Sequence, residues 1–277
     1  MAERRVPNPY RTVVLRTEQL TPHMVRVVVG GDDLKQRFHA GDFTDHYVKL
    51  QFPRPGSPTP FDPAAIRREL PRDKWPITRT YTVREWDPAA AELTLDFVVH
   101  GDSGIAGPWA ASARPGDELW LAGPGGGYRP SADAGWHLLA GDESAVPAIA
   151  ASLEQLPEGA TAIALLEVES AEEEVPLPSL PGLTVTWLHR GSAPVGELLT
   201  AAFTALEFPS QDVQAFVHGE AGLVKAIRRD LRVTREIPLA QLSISGYWRL
   251  GADEDGWQSS KSTWNAQVEA EESSALS

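Results

Sequence analysis

The densest chemistry in the sequence is the tetrapeptide Arg79-Thr80-Tyr81-Thr82. In an extended strand, alternation sets Arg79 and Tyr81 on one face and Thr80 and Thr82 on the other. A guanidinium is a planar fork that suits a phosphate. A tyrosine ring stacks on a flat heterocycle, and a threonine hydroxyl and backbone N–H can bond ring nitrogens and carbonyls. A surface strand with one solvated arginine has the same composition. Downstream lies His100-Gly101-Asp102-Ser103-Gly104-Ile105-Ala106-Gly107-Pro108-Trp109-Ala110, with three glycines between a strand pattern and a helix-like stretch. Glycine lets backbone N–H groups approach a phosphate, and a helix start adds favourable polarity. A flexible connector is the alternative reading, and His100 reads as a strand-end residue rather than a catalyst.

A second group follows the midpoint. Leu138-Leu139-Ala140-Gly141-Asp142-Glu143-Ser144 reads as a strand entering a helix, with Ser144 as its cap and Pro147 in its first turn. A parallel sheet presents a dinucleotide at such a place, although no GxGxxG fingerprint is present and an ordinary capped helix is the plainer reading. Glu167 and Glu169 end the next strand. A carboxylate there bonds a ribose 2′-hydroxyl and repels a 2′-phosphate, which leans toward NADH; Arg190 would reverse this, and solvated glutamates also fit. In His218-Gly219-Glu220-Ala221, Glu220 either faces a ligand or starts a helix. Lys225, Arg228, Arg229, Arg232 and Arg235 read as one solvated basic face, and Glu172-Glu173-Glu174 as a solvated loop.

These residues need two kinds of scaffold. Before residue 123, short β-patterned runs (Val25–Val29, Tyr47–Phe52, Arg79–Val83, Leu93–Val99, Glu118–Ala122) are separated by proline, glycine and aspartate. That spacing predicts an antiparallel barrel or sandwich, with one helical insert over Pro63–Leu70. After Gly123-Pro124-Gly125-Gly126-Gly127, strands alternate with helices: strands near 136–140, 162–168, 184–188 and 215–218, helices near 145–156, 195–206 and 222–231. Such alternation implies parallel strands with crossover helices. The expected domains are 1–130 and 131–277, with the acidic, serine-rich tail after Glu269 frayed.

The 277 residues carry 25 basic and 38 acidic side chains, a formal charge of −13, which argues against nucleic acid and anionic membranes as partners. No cysteine is present, which excludes disulfides, thiolate nucleophiles and cysteine-ligated metal centres. Seven scattered histidines and two methionines form no metal cluster. The opening MAERRVPNPY lacks the apolar run of a secretory signal, and a cytoplasmic protein is expected.

Taken in order, Asp45–Leu50, Arg79–Thr82, the 100–110 segment, Ala140–Ile149, His218–Ala221 and Gly246–Gly251 resemble the siderophore-interacting protein family, ferric-siderophore reductases of the ferredoxin–NADP reductase superfamily. The likeness runs from about residue 10 to 265. It implies FAD on an N-terminal antiparallel β-barrel and NADH or NADPH on a C-terminal parallel α/β domain whose last segment returns toward the flavin. It implies that Arg79 holds the pyrophosphate, Tyr81 packs on the isoalloxazine and Thr80 and Thr82 lie near it. His100, Gly101, Gly104, Ile105 and Ala106 would line the phosphate and ribityl portion, with Gly141, Asp142, Glu143, Ser144 and Glu220 toward the nicotinamide nucleotide. One departure is the placement of Gly107-Pro108, later than the family pattern, which puts individual backbone contacts in question. The substrate is expected to be a ferric siderophore bound by a single chain, with iron arriving already chelated and no catalytic acid, base or protein-bound metal required. A general flavin-dependent diaphorase and a non-redox siderophore binder are the alternatives. For an anionic chelate, an acidic chain must supply a local basic entrance: Arg67, Arg68, Arg72 and Lys74 before the flavin strand, or Lys261 between Trp257 and Trp264, each of which taken singly reads first as surface charge.

Overall fold

The computed structural model describes residues 8–101 and 104–276. The first seven residues, and Asp102 and Ser103 of the glycine segment, lie outside the described residues. The chain divides into two compact units, Met1–Gly127 and Tyr128–Ser277.

In the first unit six strands close an antiparallel barrel: β1 (Tyr10–Thr21), β2 (Met24–Gly30), β3 (Tyr47–Phe52), β4 (Ile77–Asp87), β5 (Glu92–Val98) and β6 (Glu118–Gly125), in spatial order β1-β2-β5-β4-β3-β6. Alternation delivers Val25, Val27 and Val29, Val48 and Leu50, Leu93, Leu95 and Phe97, and Leu119 and Leu121 to one interior. Pairing of β6 back onto β1, from Tyr10↔Leu121 to Val13↔Glu118, closes the barrel and removes its edges. Strand β1 escapes the sequence pattern because a register irregularity between Val14 and Arg16 interrupts its alternation, and Leu15 to Gln19 are all exposed. Three short helices decorate the barrel: α1 (Asp32–Arg37), α2 (Pro63–Glu69) and α3 (Ala106–Ser112). The Asp62 side chain starts α2 by accepting from the N–H groups of Ala64 and Ala65.

The second unit is a five-stranded parallel sheet of β7 (Trp136–Asp142), β8 (Ala162–Val168), β9 (Leu183–His189), β10 (Val213–Glu220) and β11 (Leu242–Trp248), ordered β11-β10-β7-β8-β9. Every residue of β7 is buried, as a central strand covered on both faces requires. Helices α4 (Val146–Leu153), α5 (Glu197–Ala205), α6 (Ala221–Arg229) and α7 (Glu254–Leu276) complete it. The chain travels outward from β7 to β9, then restarts at β10 on the other side of β7. The order therefore reverses between β7 and β10, and the crevice outside their carboxyl ends is where such sheets take ligands. Strand β11 is harder to see in sequence because Ser243 and Ser245 interrupt its apolar run on an edge strand that pairs only with β10.

Two expectations fail in this unit. The tail is not frayed: α7 runs to Leu276 and buries Trp257, Val268 and Glu272. Nor is the basic face simply solvated. Arg228 forms a two-pronged pair with buried Glu272, Lys225 pairs with Glu271, Arg235 pairs with Asp230, and Arg232 donates to the Ile237 carbonyl. The acidic tail and the basic helix, unremarkable apart, neutralise each other.

Candidate functional site

Strand β4 pairs with β3 so that Val48 faces Tyr81, Leu50 faces Arg79, Tyr47 faces Thr82 and Lys49 faces Thr80. Directly paired residues share a face. Arg79 and Tyr81 therefore lie on the side of the barrel interior, and Thr80 and Thr82 on the outside. The Tyr81 ring rests 4.3 Å from Phe97, which in turn lies 5.7 Å from Trp109. Tyr81 is thus held by the core while only half-buried. Arg79 donates to the carbonyl of Thr78 at 2.8 Å, Thr80 is exposed and Thr82 is buried.

Beyond β5, Gly101 and Gly104 adopt φ of +57° and +83°, and a Cβ on either would meet nothing within 4 Å. Their backbone is open and held in the left-handed region that favours glycine. Gly107 serves packing instead: a Cβ there would stand 3.1 Å from the Val98 carbonyl. Ile105 and Ala106 begin α3, with Ala106 buried in the barrel core, so only its backbone is offered to a ligand. His100 is exposed, 6.1 Å from the His23 ring. A cationic fork, a half-covered phenol ring, threonine hydroxyls and open glycine backbone match what FAD presents: a diphosphate, a flat heterocycle and ribityl hydroxyls. The donor set fits the cofactor.

At the β7–β10 crevice, Asp142 is fully buried and accepts from the Ser144 N–H and hydroxyl, the Glu220 N–H at 2.7 Å and the Trp248 indole at 2.9 Å. Burial pushes its carboxyl up, against the pull of those hydrogen bonds. Gly219, at φ +138°, leaves room for it, since a Cβ would lie 2.8 Å from the Asp142 carboxyl carbon. Gly141 is likewise packed, its Cβ position falling 2.5 Å from Ala145 Cβ and 2.6 Å from the His218 carbonyl. These contacts tie the ends of β7, β10 and β11 together.

Several residues read as ligand contacts are committed internally. Ser144 does not cap α4; its hydroxyl goes to Asp142, and α4 begins at Val146. Glu220 takes the helix-start role: one oxygen accepts from the Gly222 and Leu223 N–H groups, the other from Leu250 N–H. Glu143 pairs with Arg190, which is thereby engaged rather than held out for a 2′-phosphate; burial pushes the Glu143 carboxyl up against this pairing. Glu167 is fully buried and accepts from the Gly196 and Leu199 N–H groups at the start of α5, so it offers nothing to a ribose. The lean toward NADH loses that support. Sequence reasoning missed that the Trp248 indole N–H anchors Asp142.

Of the basic candidates, Arg67 and Arg68 lie on α2, Arg72 and Lys74 in the single turn after it, and Lys261 on α7, donating to Ser245 Oγ at 2.9 Å. Next to Lys261, His218 is buried between Phe216 and Tyr247, with Nε2 3.1 Å from Ser243 Oγ. Burial, and then the Lys261 ammonium, push its imidazole down to about 3, so it stays neutral near pH 7. Among the described residues no group of histidines and carboxylates is arranged to hold a metal, and no helix is long and apolar enough to cross a membrane.

A closed antiparallel barrel followed by a parallel sheet with a switch-point crevice is the fold seen in ferredoxin reductases. The ferredoxin reductase of carbazole 1,9a-dioxygenase shares the fold at 16% identity, with a TM-score of 0.63 over 87% of this chain and 69% of its own. Residues 13–128 match the siderophore-interacting FAD-binding domain, and residues 134–251 the siderophore-interacting protein family. The chain belongs to that family and is an FAD-dependent oxidoreductase. It is 33% identical over 249 residues to the ferric vibriobactin reductase ViuB of Vibrio cholerae, covering 88% of this chain and 90% of that one. It is 32% identical over 254 residues to the NADPH-dependent ferric-chelate reductase of Escherichia coli, covering 88% and 95%. The siderophore-interacting protein SipS of Aeromonas hydrophila superposes with a TM-score of 0.81 at 30% identity, covering 94% and 98%.

Proposed function

We propose that the chain is a cytoplasmic ferric-siderophore reductase that draws electrons from NADH or NADPH. The observation that carries this reading is Arg79-Thr80-Tyr81-Thr82 on a barrel strand beside open glycine backbone, in a family whose N-terminal domain binds FAD. Bound FAD supplies the chemistry, taking two electrons as hydride and releasing them singly to chelated iron. One hydride thus converts two Fe(III) to two Fe(II) and leaves one proton. Fe(II) is held less strongly by oxygen donors, so reduction loosens the complex.

The residues bind and orient. Arg79 would hold the diphosphate, Tyr81, backed by Phe97, would offer the flavin a ring, and Thr80 and Thr82 would add the strand's hydroxyls. The backbone at Gly101, Gly104, Ile105 and Ala106 would serve the phosphate and ribityl portion. In the second unit, Asp142 and Glu220 set the ends of β7, β10 and β11, and the crevice they shape receives the nicotinamide nucleotide. No side chain has to transfer a proton to substrate. The cytoplasm is where the nicotinamide pool resides, and one chain holds both binding units.

The test is anaerobic absorbance of the purified protein. NADH or NADPH bleaches the yellow holoprotein, and a ferric siderophore with a ferrous trap restores the colour and yields trapped Fe(II). Folded R79A/Y81A/T82A protein with full flavin occupancy would contradict the barrel assignment. Equal turnover of dyes, simple ferric chelates and siderophores would place the protein with general diaphorases. Siderophore binding without reduction would leave a binder.

A further inference from the structure

Strand β4 parts from its neighbour β5 before either strand ends. The ladder between them runs from Asp87↔Glu92 to Val83↔Leu95, with an irregularity between Val83 and Glu85. Past that point β4 continues on β3, where Tyr81 pairs with Val48 and Ile77 with Phe52. Strand β5 continues on β2, where Phe97 pairs with Val25. Tyr81 and Phe97 therefore face each other beyond the end of the β4–β5 ladder, and side chains have to close the wall there.

A chain of aromatic rings closes it. Tyr81 meets Phe97 with ring centres 4.3 Å apart, Phe97 meets Trp109 at 5.7 Å, and Trp109 meets Phe52 of β3 at 5.7 Å. The rings are inclined by 33°, 53° and 63°, the offset and edge-on arrangements that aromatic pairs favour. Phe97 and Phe52 are buried, while Tyr81 and Trp109 are half-buried. Trp109 belongs to α3 and not to a strand. That helix lies hard against β5: Ala106 and Ala110 enter the barrel core, and a Cβ on Gly107 would stand 3.1 Å from the Val98 carbonyl. So close a seat fixes the place from which the indole reaches out. The same helix follows directly on the open backbone of Gly101 and Gly104. Trp109 thus joins the segment assigned to the phosphates to the ring assigned to the isoalloxazine.

We infer that Trp109 is a positioning residue for the flavin, acting through Phe97 on Tyr81. This role rests on the assignment of Tyr81 to the flavin and deepens it. A ring that serves a ligand has to stay partly uncovered, so burial alone cannot hold it in one orientation. Its backing has to come from behind, and beyond the β4–β5 ladder that backing is Phe97, itself packed on Trp109. Locked packing behind a binding side chain is what keeps its geometry productive.

The test is equilibrium dialysis of the full chain against FAD in a double-mutant cycle, so that binding is read without turnover. Y81A is expected to weaken FAD binding about tenfold, and W109A to do the same. Because Trp109 works through Tyr81, Y81A/W109A is expected to lose about tenfold in all, against about a hundredfold for two independent defects. W109F keeps a ring at the position and is expected to bind within about threefold of the wild type. A merely structural role would weaken binding by the same factor with or without Tyr81. Should W109A fold poorly, F97L carries the cycle, since leucine fills much of the space and cuts the link between Trp109 and Tyr81; the same non-additivity with Y81A is expected. Wild-type affinity in W109A and F97L, or losses that multiply with that of Y81A, would overturn the inference. The assignment of Tyr81 fails separately: folded Y81A protein that binds FAD as the wild type does would take Tyr81 away from the flavin, and the positioning role with it.

Discussion

Replacing Glu167 by glutamine separates a structural carboxylate from a nucleotide-binding one. In the fold, one carboxylate oxygen accepts from Gly196 N–H at 2.6 Å and the other from Leu199 N–H at 2.9 Å, with the side chain fully buried. Glutamine keeps a single acceptor oxygen. Its amide NH2 must then face the second backbone N–H, donor against donor. The retained bond loses its charge assistance, about 1 kcal/mol, and the orphaned N–H costs roughly 1–3 kcal/mol. The sum, about 2–4 kcal/mol, lowers the melting temperature by about 4–16 °C at the 2–4 °C per kcal/mol of a unit this size. The assay pairs thermal unfolding with kcat/KM for NADH and NADPH. The expected result is a marked fall in Tm with the NADH to NADPH ratio unchanged. An unshifted Tm with a tenfold change in that ratio would refute the reasoning and return Glu167 to the ribose.

Three further outcomes follow from the packing. His218 has a folded-state imidazole pushed down to about 3 against about 6.5 unfolded, so its contribution is complete above pH 6.5 and drains away as pH falls toward 3. Urea unfolding at pH 7 and pH 5 should show the wild type losing about 2 kcal/mol more than His218→Gln; parallel losses would show that His218 titrates normally. Gly141→Ala forces a methyl to within 2.5 Å of Ala145 Cβ and 2.6 Å of a carbonyl, and the expected loss is about 3 kcal/mol or more, read as poor soluble yield or a depressed Tm; wild-type stability would mean that the strand end yields. Glu272→Ala strips the partner from half-buried Arg228, and hydrogen exchange over Val268–Leu276 should accelerate at least about tenfold, because the last turns release sooner than bury the lone cation; unchanged exchange would mean that apolar contacts alone hold the tail.

How far the sequence could be read depended on whether a residue's role is set locally. Val48, Leu50 and Phe52 alternate with Tyr47, Lys49 and Gln51, and that period alone places the inner wall of β3. The glycines at 101 and 104 announce open backbone because positive φ is a local property. By contrast, β1 loses its period at a register irregularity, which only its partner β2 reveals. The tail reads as polar and serine-rich, yet it stays helical because Arg228 and Lys225, far back in the chain, supply its counter-charges. The basic cluster on and after α2 was half visible. Four cations stood out by type, but which two remain un-neutralised depends on the short-range pairs Arg68–Glu69 and Lys74–Asp73 and on Gln51 from another strand.

The carboxylates at the strand ends show why ligand contacts are over-read in a parallel sheet. Asp142 and Glu220 stand where β7 and β10 give way to α4 and α6, and Glu167 lies near the end of β8, at the strand ends where a dinucleotide would arrive. The same location exposes the first N–H groups of the following helices, and those donors need acceptors whether or not a ligand comes. Glu220 meets Gly222 and Leu223 at the start of α6 and Glu167 meets Gly196 and Leu199 at the start of α5, while Asp142 meets the Ser144 N–H ahead of α4 and the Glu220 N–H at the end of β10. Glu220 was left open in sequence because glutamate is not a favoured cap, and only the structure shows it accepting from the Gly222 and Leu223 N–H groups. Glu167 was no more legible, since its donors lie some thirty residues away at the start of α5. The acidic side chains in the crevice are thus spent on building it. Because these carboxylates already hold backbone N–H groups, carboxylate-to-amide changes here are predicted to shift stability before they shift nucleotide choice.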